Sequence, residues 1–323
     1  MKITVFGTGA IGSHVAARLV QAGRSEVSVI ARGPQWEAIR ARGITVQAPD
    51  GSFNARPRAE QDPAALGPQD AVIVTVKAPA VTSVAEAIGP LLGPETPVVF
   101  VINGIPWWWG ENLTTLDPGG VVRARVGLAR SIGGVVWSAC TVTEPGVVRV
   151  QSASSRVIFG ELDNSLSPRI QALAAALDGP GMGGVASNDI RTAIWTKLLN
   201  NLTNGPICLL TRRDMKATFS DPAILAAAKA VMHEGLAVAQ ALGHPVPGDP
   251  AAQILRSVGI AHKPSILQDL EAGRALEFEA LLSVPLQLAR EAGVATPVLE
   301  LLVALARHAT RADETGARPF GAA

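Results

Sequence analysis

The chain of 323 residues has only two cysteines, Cys140 and Cys208, and no tyrosine. Two thiols exclude a disulfide scaffold and a four-thiolate zinc site. They fit a reducing, cytoplasmic setting. The five histidines, His14, His233, His244, His262 and His308, lie far apart with no ligand-like spacing, so no metal site is expected. Charge is also sparse. Charged residues make up 17%, and 28 basic side chains against 27 acidic ones leave a net charge of +1. That balance provides no basic face for a nucleic-acid partner. No stretch of ~18 residues is free of charge, glycine and proline, so no membrane span is expected. The N-terminal apolar run ends at Gly7 and is too short for a signal peptide.

What is abundant is apolar residues, at 48%, together with 32 glycines and 23 prolines. Such a chain can bury a large core and must turn often. Its length suits two domains. In the first half, short β-rich runs at 3–6, 27–31, 44–47, 71–76 and 98–102 alternate with helical patterns at 11–22 and 35–41. Near-continuous Val and Ile in those runs point to strands buried on both faces of a parallel sheet. The alternation predicts a doubly wound α/β domain of the Rossmann type. Several β-like runs between 121 and 160, with a turn at Glu144-Pro145-Gly146, are expected to extend that sheet. The glycine-rich segment 179–184 reads as a break. We place the domains at 1–187 and 188–323, the second all-helical, with helices at 190–204, 223–242, 250–259, 275–293 and 297–312. The small, polar tail from Asp313 is expected to fray.

Gly7-Thr8-Gly9-Ala10-Ile11-Gly12 is a GxGxxG that follows a strand and opens a helix, the context in which it binds a dinucleotide. Gly7 permits the turn, Gly9 lets backbone approach a pyrophosphate, and Gly12 lets helix and strand pack closely. An NAD site places an acid about 20 residues on; Arg32 stands there instead. A guanidinium binds a 2′-phosphate bidentately, so the cofactor is read as NADP(H).

Lys197, Asn200, Asn201 and Asn204 are spaced i, i+3, i+4, i+7 and share one helix face, while Leu198, Leu199 and Leu202 cover other directions. Three amides and one lysine make a wall suited to a polar ligand. A lysine there could protonate the alkoxide formed when a ketone is reduced. Glu277 heads an apolar stripe with Leu281, Val284 and Leu288, and Glu279 lies about 200° away round the helix. A buried Glu277 is either functional or paired, for instance with Arg274. Ser265 reads as either a hydroxyl donor or an N-cap.

Taken together, these segments resemble the ketopantoate reductase (2-dehydropantoate 2-reductase) family over nearly the whole chain. The likeness rests on the glycine loop, Arg32, Val76-Lys77-Ala78, Ile102-Asn103-Gly104, Trp195-Thr196-Lys197-Leu198, Ser265-Ile266-Leu267-Gln268-Asp269 and Glu277-Phe278-Glu279. It implies a Rossmann domain joined to a helical domain, with NADPH and a small 2-oxo acid bound in a shared cleft. It implies that Lys197 is the catalytic acid and that Glu277 orients the substrate. By the same likeness Asn103, Asn201 and Ser265 contact the substrate, with Asn204 as the nearest further amide. Lys77 and Asn103 then sit on the cofactor side. Three departures stand out. Gly205 occupies a position that is asparagine in many relatives, Leu282-Ser283 replaces a frequent Asn-Gly, and Trp107-Trp108-Trp109 follows Ile105-Pro106. The tryptophans read either as a hydrophobic flap or as the lining of a pocket for a bulkier 2-oxo acid. A non-catalytic NADP sensor is the reading from another class. A homodimer is compatible with the Ala/Leu-rich helices.

Overall fold

The computed structural model describes residues 1–249, 252 and 259–314. The chain divides into two compact units, Met1–Ile102 with Pro106–Ile190, and Asn103–Ile105 with Arg191 onward.

The first unit is built on an eight-stranded sheet. Its central strands are β1 (Lys2–Phe6), β2 (Glu26–Ile30), β6 (Ala71–Val74), β7 (Val98–Val101) and β8 (Ser131–Trp137). The spatial order is β12-β11-β8-β7-β6-β1-β2-β5, where β5 is Arg58–Glu60, β11 is Ser155–Glu161 and β12 is Met182–Ser187. Every pairing is parallel except β11 with β8. Strands β6 and β7 are buried at every residue, as their unbroken Val, Ile and Phe require. The chain leaves β1 for β2 on one side and reaches β6 on the other. This reversal beside β1 is the switch point where open α/β sheets bind ligands.

One strand expectation is corrected. Residues 44–48 form β3 (Ile44–Ala48), which lies outside the large sheet. It pairs antiparallel with β4 (Gly51–Ala55) and parallel with β10 (Val147–Val150), which is itself a hairpin partner of β9 (Cys140–Glu144). Burial alternates along β3, so it is a half-covered strand. The run 121–160 is likewise divided. Residues 121–125 are a short helix, β8 and β11 extend the large sheet, and β9 and β10 join the small one. The Glu144-Pro145-Gly146 turn closes the β9–β10 hairpin, with Gly146 at φ 80°. The glycine-rich segment is not wholly a break, because Gly183 and Gly184 lie within β12. A Cβ on Gly184 would sit 2.0 Å from the Ala174 carbonyl oxygen of helix α5 (Pro168–Leu177; helices α1 to α4 are 10–22, 33–42, 81–87 and 121–125).

Helix α1 (Ala10–Ala22) is buried continuously from Gly12 to Leu19 and packs against strands of both sheets. A helix covered on two sides must bury its polar groups with partners. Arg18, 3% exposed, donates to both Asp50 carboxylate oxygens, at 2.7 and 2.8 Å, and to the Pro180 carbonyl. Its Nε donates to His14 Nε2 at 3.2 Å, which leaves His14 Nδ1–H to donate to Ser138 Oγ. Burial first, then the Arg18 charge, lower the His14 pKa to about 4, against the opposing pull of Asp50. The unfolded chain therefore binds a proton that the folded chain refuses. Stability from this site is complete above pH 6.5 and is lost as pH falls toward 4, by about 3 kcal/mol in total. Denaturant titrations between pH 7 and 4.5 are expected to show a shallower acid slope for His14→Gln. Equal slopes in the two proteins would refute this assignment.

The second unit is helical. Helix α6 (Ile190–Thr211) runs past the expected stop at Asn204, through Gly205 and Pro206. Proline denies the Leu202 carbonyl its donor, but burial of Ile207, Cys208 and Leu209 at 4% exposure or less outweighs that loss. Helix α8 (Pro222–Ala241; α7 is Met215–Phe219) is long and apolar enough to cross a membrane. It carries Glu234, whose carboxylate accepts from the Val298 and Leu299 N–H groups at the start of the last helix (Pro297–Glu314). A capped partner helix is what a packed domain helix provides. Apart from residues 252 and 259, the expected helix at 250–259 lies outside the described residues, as does the tail beyond 314.

Candidate active site

The glycine loop follows β1 and bends as its residues require. Gly7 takes φ 100°, where a Cβ would press to 2.6 Å from the Val76 side chain. On Gly12 a Cβ would lie 1.9 Å from the Gly7 carbonyl oxygen, so helix and loop touch directly. Gly9 is different: an added Cβ meets nothing within 4 Å, and the residue is exposed. No side chain caps the start of α1, and its first turn holds no acid. The loop is thus a cradle with an open mouth and a positive helix end, which fits a pyrophosphate. Thr8, Ala10 and Ile11 complete it. Arg32 is exposed and forms the N-cap of α2 (Gly33–Arg42) directly after β2. Lys77 lies half-buried after β6, at the N-cap of a short 3₁₀ turn. The motif did not reveal Thr75, whose hydroxyl donates to the Gly7 carbonyl at 2.7 Å and ties the loop to the end of β6.

The tryptophan run is resolved by burial. Trp107 and Trp108 are each 3% exposed. Trp107 meets Phe100 edge-on at 5.6 Å, and Trp108 fills space beside Gly133 of β8, where a Cβ would lie 2.9 Å from the indole. Two of the three tryptophans are therefore core. Trp109, stacked on Trp108 at 6.2 Å, is half-buried.

In the helical unit, the loop Asn103–Ile105 belongs with helices distant in sequence, although the expected boundary put it in the first domain. The reason lies in the helix that directly follows Glu277. This segment was expected to be α-helical over 275–293. It begins at Phe278 and widens to a π-helix over Glu279–Ser283 before an α-helix over Val284–Glu291. The Ala280 carbonyl accepts from Ile105 N–H at 2.9 Å. Gly104, at φ 84°, approaches so closely that a Cβ would stand 2.3 Å from that oxygen. Single π turns of this kind are frequent at functional sites.

The same anchoring brings three of the expected residues together. Lys197 Nζ donates to Asn103 Oδ1 at 2.6 Å, and Asn103 Nδ2 donates to Glu277 Oε2 at 3.3 Å. Cation and carboxylate thereby define which end of the amide is oxygen. Glu277 is 6% exposed. Arg274, considered as its partner, instead pairs with Asp269 at 3.0 Å, and Glu279 pairs with Arg307 at 3.3 Å. Along α6, Lys197, Asn200 and Asn201 are half-buried and Asn204 is 8% exposed, so the amide face is not an ordinary exposed one. Ser265 is exposed and opens the helix Ser265–Glu271. Pro264 occupies the N-cap, which removes the capping role for the hydroxyl. Among the described residues no group of three or more metal-ligating side chains comes together.

Residues 3–164 match the ketopantoate reductase PanE/ApbA family, and residues 189–310 match its C-terminal domain. The chain belongs to the ketopantoate reductase family. A 2-dehydropantoate 2-reductase of Mesorhizobium japonicum is 39% identical over 320 residues, covering 95% of this chain and 97% of the relative. The crystal structure of 2-dehydropantoate 2-reductase from Geobacter metallireducens superposes with a TM-score of 0.85 at 28% identity, over 96% of this chain and 100% of that one. A D-mandelate dehydrogenase solved with NADH and anilino(oxo)acetate shares the fold at 22% identity and a TM-score of 0.81, over 97% and 99% of the two chains. As a ketopantoate reductase family member, the chain is an oxidoreductase acting on a CH–OH group, which sets aside the non-catalytic sensor. The family uses NADPH, and the open glycine cradle with Arg32 after β2 fits that cofactor.

Proposed function

We propose that this chain reduces 2-dehydropantoate to (R)-pantoate with NADPH, and that Lys197 is the proton donor. The observation that carries the reading is the Lys197–Asn103–Glu277 chain of hydrogen bonds. NADPH, when bound, supplies the hydride that adds to the carbonyl carbon. Negative charge then develops on the carbonyl oxygen. The Lys197 ammonium stabilises that charge and gives up one proton to it, leaving a hydroxyl and a neutral amine that solvent reprotonates. Asn103 uses one of the three ammonium N–H groups and so fixes the direction of the others. The Glu277 carboxylate repels the substrate carboxylate and accepts from the substrate's primary hydroxyl. Asn201, Asn204 and Ser265 take the carboxylate end without adding charge. Gly7 to Gly12 hold the pyrophosphate, Arg32 the 2′-phosphate, and Lys77 and Asn103 the nicotinamide half.

A second reading keeps the chemistry and changes the acid. Gly205 offers no side chain where a Cβ would make only ordinary contact, 3.5 Å from Ile266. That space favours a bulkier 2-oxo acid, whereas the burial of Trp107 and Trp108 removes most of the aromatic lining it would need. Steady-state assays with NADPH across ketopantoate, 2-oxoisovalerate and phenylglyoxylate separate the two. Ketopantoate is expected to give the highest kcat/KM by at least about tenfold, the worth of one good hydrogen bond to a charged group. A preference for phenylglyoxylate would transfer the assignment to the second reading.

A further inference from the structure

The glycine loop is held by a residue outside its motif. The Thr8 carbonyl oxygen accepts two hydrogen bonds, from Gln35 Nε2 at 2.8 Å and from Ser13 Oγ at 3.0 Å. Gln35 Nε2 also lies 3.1 Å from Ser13 Oγ, and Gln35 Oε1 accepts from the Gly146 N–H at 3.1 Å. Gln35 sits half-buried in the first turn of α2, three residues after Arg32. Both ends of its amide are therefore engaged, the donor end on the loop and the acceptor end on the β9–β10 turn.

The Thr8–Gly9 peptide is trans. Its C=O and N–H therefore point to opposite sides of the chain. Holding the carbonyl inward turns the Gly9 N–H outward. Gly9 itself is exposed, and nothing lies within 4 Å of an added Cβ there. The second glycine of such a loop is where backbone comes close to a pyrophosphate.

We propose that Gln35 is a positioning residue for the dinucleotide, setting the Thr8–Gly9 peptide so that the Gly9 N–H meets the pyrophosphate of NADPH. Without Gln35, Ser13 alone restrains the carbonyl. The peptide can then rotate and present its oxygen, rather than its N–H, to the phosphates. The inference depends on the family's cofactor and on neither the substrate nor Lys197.

The test is a binding measurement on the whole protein. NADPH fluorescence titrations give Kd directly, and displacement of NADPH gives the Kd of 2′-AMP, which has the 2′-phosphate but no pyrophosphate. Gln35→Met keeps the side-chain length and removes every hydrogen bond. It is expected to raise Kd for NADPH about tenfold, to leave 2′-AMP within twofold, and to melt within a few degrees of the parent. Gln35→Asn, one methylene too short to reach Thr8, carries the same expectation if methionine prevents folding. An unchanged NADPH Kd would overturn the proposal. So would equal weakening of both ligands, because that pattern marks general support of the domain.

Discussion

Replacing Lys197 with alanine is expected to lower kcat for 2-oxo acid reduction about 10³-fold while Kd for NADPH stays within twofold. General-acid catalysis is worth ~10²–10⁴ and one donor to a developing oxyanion ~10²–10³. A single ammonium doing both belongs near the middle of that combined range. The fold should tolerate the change. Lys197 is half-buried on a helix whose leucines, Leu198, Leu199 and Leu202, carry the packing at 1% exposure or less. Alanine also has a higher helix propensity than lysine. Lys197→Arg provides the control. A guanidinium keeps the charge but does not release a proton near neutrality, so activity should fall between parent and alanine variant. Single-turnover rates under saturating NADPH isolate the chemical step. Turnover within tenfold of the parent in Lys197→Ala would end the assignment of the proton donor.

Gly104→Ala is expected to lower kcat about 10²-fold with a smaller change in KM for the 2-oxo acid. The new Cβ would stand 2.3 Å from the Ala280 carbonyl oxygen, in a residue already at φ 84°. Neither the contact nor the backbone angle suits alanine, so the loop must withdraw from the π-helix and give up the bond from Ile105 N–H to Ala280. The required shift is roughly 1 Å, a misplacement that can cost ~10²-fold in rate when it moves a catalytic group. What moves is Asn103, next in sequence, which joins Lys197 to Glu277. The variant should melt a few degrees lower, since φ strain costs ~1–3 kcal/mol. A loss of stability with kcat unchanged would show that the anchored loop serves folding alone.

The conformation of the glycine loop was legible because its signal is local. Gly7, Gly9, Gly12 and Arg32 sit at set distances within one strand–helix–strand unit, and backbone conformation there is governed by which residues lack a Cβ. The amide face of α6 was legible for the same reason, since helical spacing turns sequence distance into direction. Glu277 was chosen over Glu279 by an apolar stripe, and its 6% exposure agrees, although the helix starts one residue later and is π in its first turn. The small sheet was not legible. Residues 44–48 are as β-prone as a central strand, and nothing local says which sheet will receive them.

The sequence by itself determined the Rossmann and helical halves, the reading of the cofactor and the identity of the chemical groups, because these are written in composition, spacing or period, while the likeness of its motifs pointed to the family. Tertiary structure decided which of those groups meet. Asn103 lies 94 residues from Lys197 and 174 from Glu277. Their union depends on a glycine reaching a carbonyl that a π turn presents to Ile105 N–H, and a contact of that kind has no one-dimensional signature.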